Sequence, residues 1–156
     1  MTANHAILQR GHQSSPSREI VLRVGTSGTT YDFGTWSPSQ YASFVIPSND
    51  VGQGNWVHLA GTSAFNGSNY TYRLYRNGVE VANSAAGPGL QNDFTVGWAI
   101  GARGCVSGFE RVFNGAIDDL RIYAASLSAA TIQSIMVGVP PPTQPRIAGF
   151  ALSGSN

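Results

Sequence analysis

Short runs of alternating apolar and polar residues, each broken by turn-forming residues, recur along this chain. A period of two places successive side chains on opposite faces, which antiparallel strands satisfy and helices do not. Candidate strands are Ala6–Arg10, Glu19–Val24, Tyr41–Ile46, Trp56–Ser63, Asn69–Arg76, Val79–Asn83, Phe94–Ala102 and Ala116–Tyr123. Gln13-Ser-Ser-Pro-Ser, Gly25-Thr-Ser-Gly, Phe65-Asn-Gly-Ser and Gly87-Pro-Gly between them are loop chemistry. The sharpest local signal is Tyr70-Thr-Tyr-Arg-Leu-Tyr-Arg-Asn-Gly-Val-Glu-Val, where Asn77-Gly78 can take the positive φ angles of a two-residue hairpin turn. No stretch before residue 126 has a helical period. Beyond it, Ser128 is a candidate N-cap, and Leu127, Ile132, Ile135 and Met136 are spaced to cover one edge of a sandwich. The expectation is an all-β, antiparallel two-sheet sandwich with one short C-terminal helix.

With 156 residues, 42% of them hydrophobic, the chain suits one domain with an ordinary core. Charged residues are only 11%, and the net charge of +1 is spread over nine arginines that do not cluster, so a nucleic-acid groove is not expected. Cys105 is the one cysteine, which excludes an intramolecular disulfide and a Cys-based zinc site. No apolar run reaches bilayer length, so no membrane insertion is expected. The start Met1-Thr-Ala-Asn-His lacks signal-peptide regions, so the chain reads either as cytoplasmic or as a piece of a longer exported protein. Pro140-Pro-Pro-Thr-Gln-Pro reads as a stiff extended linker, and Arg146–Asn156 alternates like the first strand of another domain. The expected division is therefore a sandwich over 1–139 and a linker with the start of a further domain over 140–156.

Catalytic spacing is lacking. Glycoside hydrolysis needs two carboxylates facing each other across a cleft, whereas Asp32, Asp50, Glu80, Asp93 and Glu110 each stand alone in turn or loop surroundings. His5, His12 and His58 show no metal-ligand spacing, and His58, alternating with Trp56 and Ala60, reads as a packed structural side chain. The glycines of Gly97-Trp-Ala-Ile-Gly-Ala-Arg-Gly fit strand bends better than a phosphate-binding turn. Aromatic residues argue for binding, because sugar rings stack on Trp and Tyr while their hydroxyls pair with Asn, Asp and Arg. Trp36, flanked by Gly34, Thr35, Ser37 and Pro38, is the first candidate contact, with Tyr31 and Tyr41, and with Asn49 and Asp50 nearby in sequence. Arg73, Tyr75 and Trp98 are candidates on a sheet face, while core packing is the expectation for Trp56, Trp98 and Tyr72.

Four blocks in order, Trp56-Val-His-Leu-Ala-Gly-Thr, Tyr72-Arg-Leu-Tyr-Arg-Asn-Gly-Val-Glu-Val, Val96-Gly-Trp-Ala-Ile-Gly-Ala and Phe113-Asn-Gly-Ala-Ile-Asp-Asp-Leu-Arg-Ile-Tyr with Leu127-Ser-Ala-Ala-Thr-Ile, resemble the laminin-G-like jelly-roll domains of bacterial surface and secreted proteins. The resemblance covers about residues 5–136 and implies a concanavalin A-like fold with one concave sheet. It also implies a calcium ligand at Asp118, against the plainer reading that this carboxylate accepts loop N–H groups. Such domains open with strands that this sequence lacks before Ala6, so a sheet edge left uncovered is expected to recruit a second copy. The function implied is a non-catalytic carbohydrate-binding or adhesion module of an extracellular protein, whose partner is a glycan or a cell-surface protein. A structural or assembly domain and a degenerate glycosidase-like domain are the alternatives.

Overall fold

A computed structural model describes residues 5–11, 20–25, 27–35, 40–50, 54–87, 97–105 and 108–139. Trp36, His12, Asp93, and the linker and tail expected over 140–156 lie outside these residues.

Five strands form one antiparallel sheet: β1 (His5–Arg10), β2 (Ile20–Val24), β3 (Thr30–Thr35), β4 (Gln40–Val45) and β8 (Trp98–Ile100). Their spatial order is β4-β3-β2-β1-β8. The second sheet is the meander β5 (Leu59–Phe65), β6 (Tyr70–Arg76) and β7 (Val79–Asn83). A small ribbon pairs β9 (Arg103–Cys105) with β10 (Gly108–Glu110). The helix α1 spans Ala129–Met136, with the Ser128 hydroxyl accepting the Thr131 N–H as its cap. Asn77 and Gly78 take φ of 48° and 77°, as the tight β6–β7 turn demands.

The alternation read from the sequence decides what lies between the sheets. Val24, Tyr31, Phe33 and Ala42 point inward from the first sheet, and Tyr72 and Leu74 meet them from the second. The Phe33 and Tyr72 rings pack edge-to-face at 5.9 Å. Complete burial of a side chain such as Leu74 contributes about 1.5–3 kcal/mol. A polar clamp also joins the layers: the Gln40 Nε2 on β4 donates to the Tyr70 carbonyl at 3.0 Å and to the Ala85 carbonyl. On α1, Ile132 and Ile135 are buried as expected, whereas Met136 is partly exposed.

Three segments differ from the expectation. Thr30–Thr35 is a full strand, although Asp32 and Gly34 weaken its strand signal; hydrogen bonding to β2 and β4 on both sides overrides propensity. The strand expected from Trp56 begins only at Leu59, because His58 is engaged by the Asn77 turn instead of by a ladder. The strand expected over Ala116–Tyr123 does not form. Asp119 has φ of 49°, and the Asp118 carboxylate accepts the Asp119 N–H at 2.8 Å, a local bond that competes with pairing. Asp118 is consequently exposed. For the strand expected over Phe94–Ala102, the described part is paired only over Trp98–Ile100.

Candidate functional site

The sequence-derived candidates fall into three separate places. On the outward face of the first sheet, register sets Arg23 beside Asp32, and the Arg23 Nε donates to the Asp32 carboxylate at 3.3 Å. The Arg23 guanidinium also lies 4.4 Å from the Tyr41 ring centroid, so that half-buried ring is already covered by a cation. Gln9, Val21, Arg23 and Asp32 are all buried, so the middle of this face is shielded.

On the outward face of the second sheet, the exposed Arg73 donates to both oxygens of Glu80 at 2.9 and 3.0 Å. Tyr75, expected as a contact residue, is buried, with its hydroxyl 3.4 Å from Glu80. Trp98 sits on the short β8, half-buried, with the Arg10 guanidinium 5.8 Å from its ring.

The third place is the end of the sandwich at the β6–β7 turn, and it gathers Tyr31, Asn49 and Asp50 with residues the sequence had not pointed to. A 3₁₀ turn, Ser48–Asp50, brings the Asp50 carboxylate to Arg76, which binds it with two nitrogens, Nε at 2.7 Å. The Asp50 side chain is only 2% exposed. The Arg76 hydrogen bonds hold its carboxyl below the usual carboxylate range. Tyr31 hydrogen-bonds the same carboxylate, and burial first, then that negative charge, pushes its phenol up to about 12. The expectation that the Tyr31 and Tyr75 faces meet a ligand is thus corrected: both rings are enclosed, one at the inter-sheet core and one over the second sheet.

Asn55 reaches the Asn49 carbonyl at 3.4 Å, and His58 exchanges bonds with Asn77 in both directions, its N–H to Oδ1 at 3.0 Å and its carbonyl to the Asn77 N–H at 2.8 Å. Between these anchors stands Trp56, a residue 68% exposed where core packing was expected. Trp56 precedes β5, so no sheet face encloses it. Asn49, Asn55 and Asn77, the residues of these anchoring bonds, are exposed as well. His58 is half-buried, and burial lowers its pKa, with Asp119 and Arg121 close enough to act on it in opposite senses.

Among the described residues, five carboxylates are each held by a different arginine. Asp32 is held by Arg23, Asp50 by Arg76, Glu80 by Arg73, Glu110 by Arg103 and Asp119 by Arg121. Of the described carboxylates only Asp118 lacks such a partner, and its Oδ1 takes the Asp119 N–H. Calcium takes six to eight oxygen ligands. Beside Asp118, the Asp119 carboxylate gives both oxygens to Arg121, and among the described residues no three His, Cys, Asp or Glu side chains converge.

Two antiparallel sheets closed over a shared aromatic and aliphatic core, with one short capping helix, define a jelly-roll β-sandwich. Residues 2–133 match the laminin-G family Laminin_G_3 of the concanavalin A-like lectin/glucanases superfamily, and the chain belongs to that family. No curated protein and no solved structure matches it. Among the described residues, no helix is long and apolar enough to cross a membrane.

Proposed function

We propose that this chain is a non-catalytic carbohydrate-binding or adhesion module of a bacterial extracellular protein. The observation that carries the reading is the private pairing of carboxylates with arginines. A glycosidase needs one carboxyl kept protonated and a second facing it across the bond to be cleaved. A guanidinium does the reverse: it holds the carboxylate ionised and occupies the oxygens that would meet substrate, as the lowered pKa of Asp50 illustrates. Among the described carboxylates, Asp118 alone is left without such an arginine.

The test is to incubate the chain with a panel of insoluble and soluble polysaccharides, measuring retention and new reducing ends together. Retention without reducing ends is the expected result. Release of sugar that disappears on Glu80→Gln or Glu110→Gln refutes the non-catalytic reading. Burial of Tyr31 and Tyr75 favours a second reading, a spacer or assembly domain without a small-molecule ligand. For that reading, no polysaccharide is retained.

A further inference from the structure

Resting on the carbohydrate-binding reading, we propose that the ligand site is the sandwich end around Trp56, and that it selects uncharged sugar rings over sulfated or carboxylated ones. Three observations converge there. The first is the Trp56 indole, exposed on a segment that is fixed on both sides: Asn55 is tied to Asn49, and His58 is doubly bonded to Asn77. An aromatic surface held in place before the ligand arrives loses little conformational entropy on binding. It offers the apolar face of a pyranose a flat surface to stack on.

The second is the chemistry of the rim. Asn49, Asn55 and Asn77 are exposed: Asn55 adjoins Trp56 in sequence and donates to the Asn49 carbonyl, and Asn77 is bonded to His58, two residues beyond Trp56. Each amide carries donors and acceptors, which is what ring hydroxyls need. The Asn77 Oδ1 accepts the His58 N–H, so this exposed residue offers a ligand chiefly its NH₂ donors.

The third decides the ligand's charge. The arginines of this end, Arg76 and Arg121, each give two nitrogens to a carboxylate, Asp50 and Asp119. A sulfate arriving here meets guanidinium charges already neutralised by those carboxylates, whose own charge opposes its approach, whereas a neutral hydroxylated ring meets no such opposition. The exposed Phe65, at the opposite end of β5, differs in that its ring already packs against Tyr70 at 4.7 Å.

The experiment is calorimetric titration of the whole chain with neutral hexasaccharides of glucose, mannose, galactose and N-acetylglucosamine, and with heparin as the sulfated comparator. Wild type, Trp56→Ala, Trp56→Phe and Asn55→Ala are compared, with thermal melts to show that each folds; the exposure of Trp56 makes folding of its variants the expectation. At least one neutral hexasaccharide binds wild type more tightly than heparin does. Trp56→Ala weakens it roughly tenfold or more, and Trp56→Phe less. A neutral ligand bound equally by wild type and Trp56→Ala overturns the site while leaving the glycan reading standing. Heparin bound more tightly than every neutral sugar overturns the charge argument, and no binding to any sugar removes both the site and the reading beneath it. Light scattering that shows Trp56→Ala abolishing self-association, with sugar binding intact, assigns the indole to a protein contact and also overturns the proposal.

Discussion

Gly61→Ala sets backbone propensity against packing, and the two give opposite signs. Gly61 lies inside β5, facing the core. Replacing a strand glycine by alanine removes freedom from the unfolded chain and by itself stabilises by roughly 0.5–1 kcal/mol. A Cβ at this position, however, stands 2.2 Å from the Phe33 Cδ2 and 2.3 Å from its Cγ, where real contacts essentially never fall below 3.0 Å. The ring must therefore move, yet it is packed edge-to-face on Tyr72, whose side chain is fully buried. Overpacking of this kind costs about 1–3 kcal/mol. The net expectation is a loss of about 1–2 kcal/mol, which for a chain of this length lowers Tm by roughly 2–8 °C. Urea and thermal unfolding followed by circular dichroism read this directly. In a Phe33→Leu background, with the ring gone, the same alanine is expected to cost less than half as much. A neutral or stabilising Gly61→Ala in the wild-type background refutes the claim that β5 and β3 meet through this ring.

Three further outcomes follow from the same interactions. Asp50→Asn strands Arg76 at a mostly buried site and is expected to cost about 2–3 kcal/mol, short of the ~3–5 kcal/mol for a fully enclosed pair because Arg76 keeps some solvent contact. Because the folded carboxyl of Asp50 is held below its unfolded value, its contribution is complete above about pH 4 and lost as pH falls through the lowered pKa, so the acid limb of a stability profile should flatten in this variant. His58 resists protonation in the folded state, so the unfolded chain takes up the proton first. Stability should fall as pH drops below about 6.5, down to the lowered folded pKa, and a His58→Leu variant whose profile keeps that slope contradicts the assignment. Gln40→Leu removes the donor that joins the sheets at the Tyr70 and Ala85 carbonyls and is expected to cost about 1–3 kcal/mol in urea unfolding; an unchanged midpoint means the clamp contributes nothing.

Much of the scaffold was legible from local chemistry. Asn77-Gly78 can satisfy a tight turn wherever it stands, Ser128 can cap a helix using only its own neighbours, and the alternation of Tyr70, Tyr72 and Leu74 names an inward face without knowledge of what opposes it. The candidate site was less legible. Trp56 reads as the first residue of a strand because the apolar pattern does begin there, and its exposure depends on His58 being captured by a turn nineteen residues later. Ala116–Tyr123 alternates well, and nothing in its own pattern signals that Asp118 and Asp119 form a local bond instead of a ladder.

From the order of its residues alone, this protein was committed to antiparallel layers, one hairpin of known register and one capped helix, since each depends on interactions within a few positions of the chain. Tertiary structure alone decided which arginine holds which carboxylate, as with Arg76 and Asp50, separated by 26 positions, and therefore which end of the sandwich is left with an uncharged aromatic surface. The physical reason is that burial and ion pairing depend on distance in space, and a one-dimensional pattern states which face a side chain takes but not what lies opposite it.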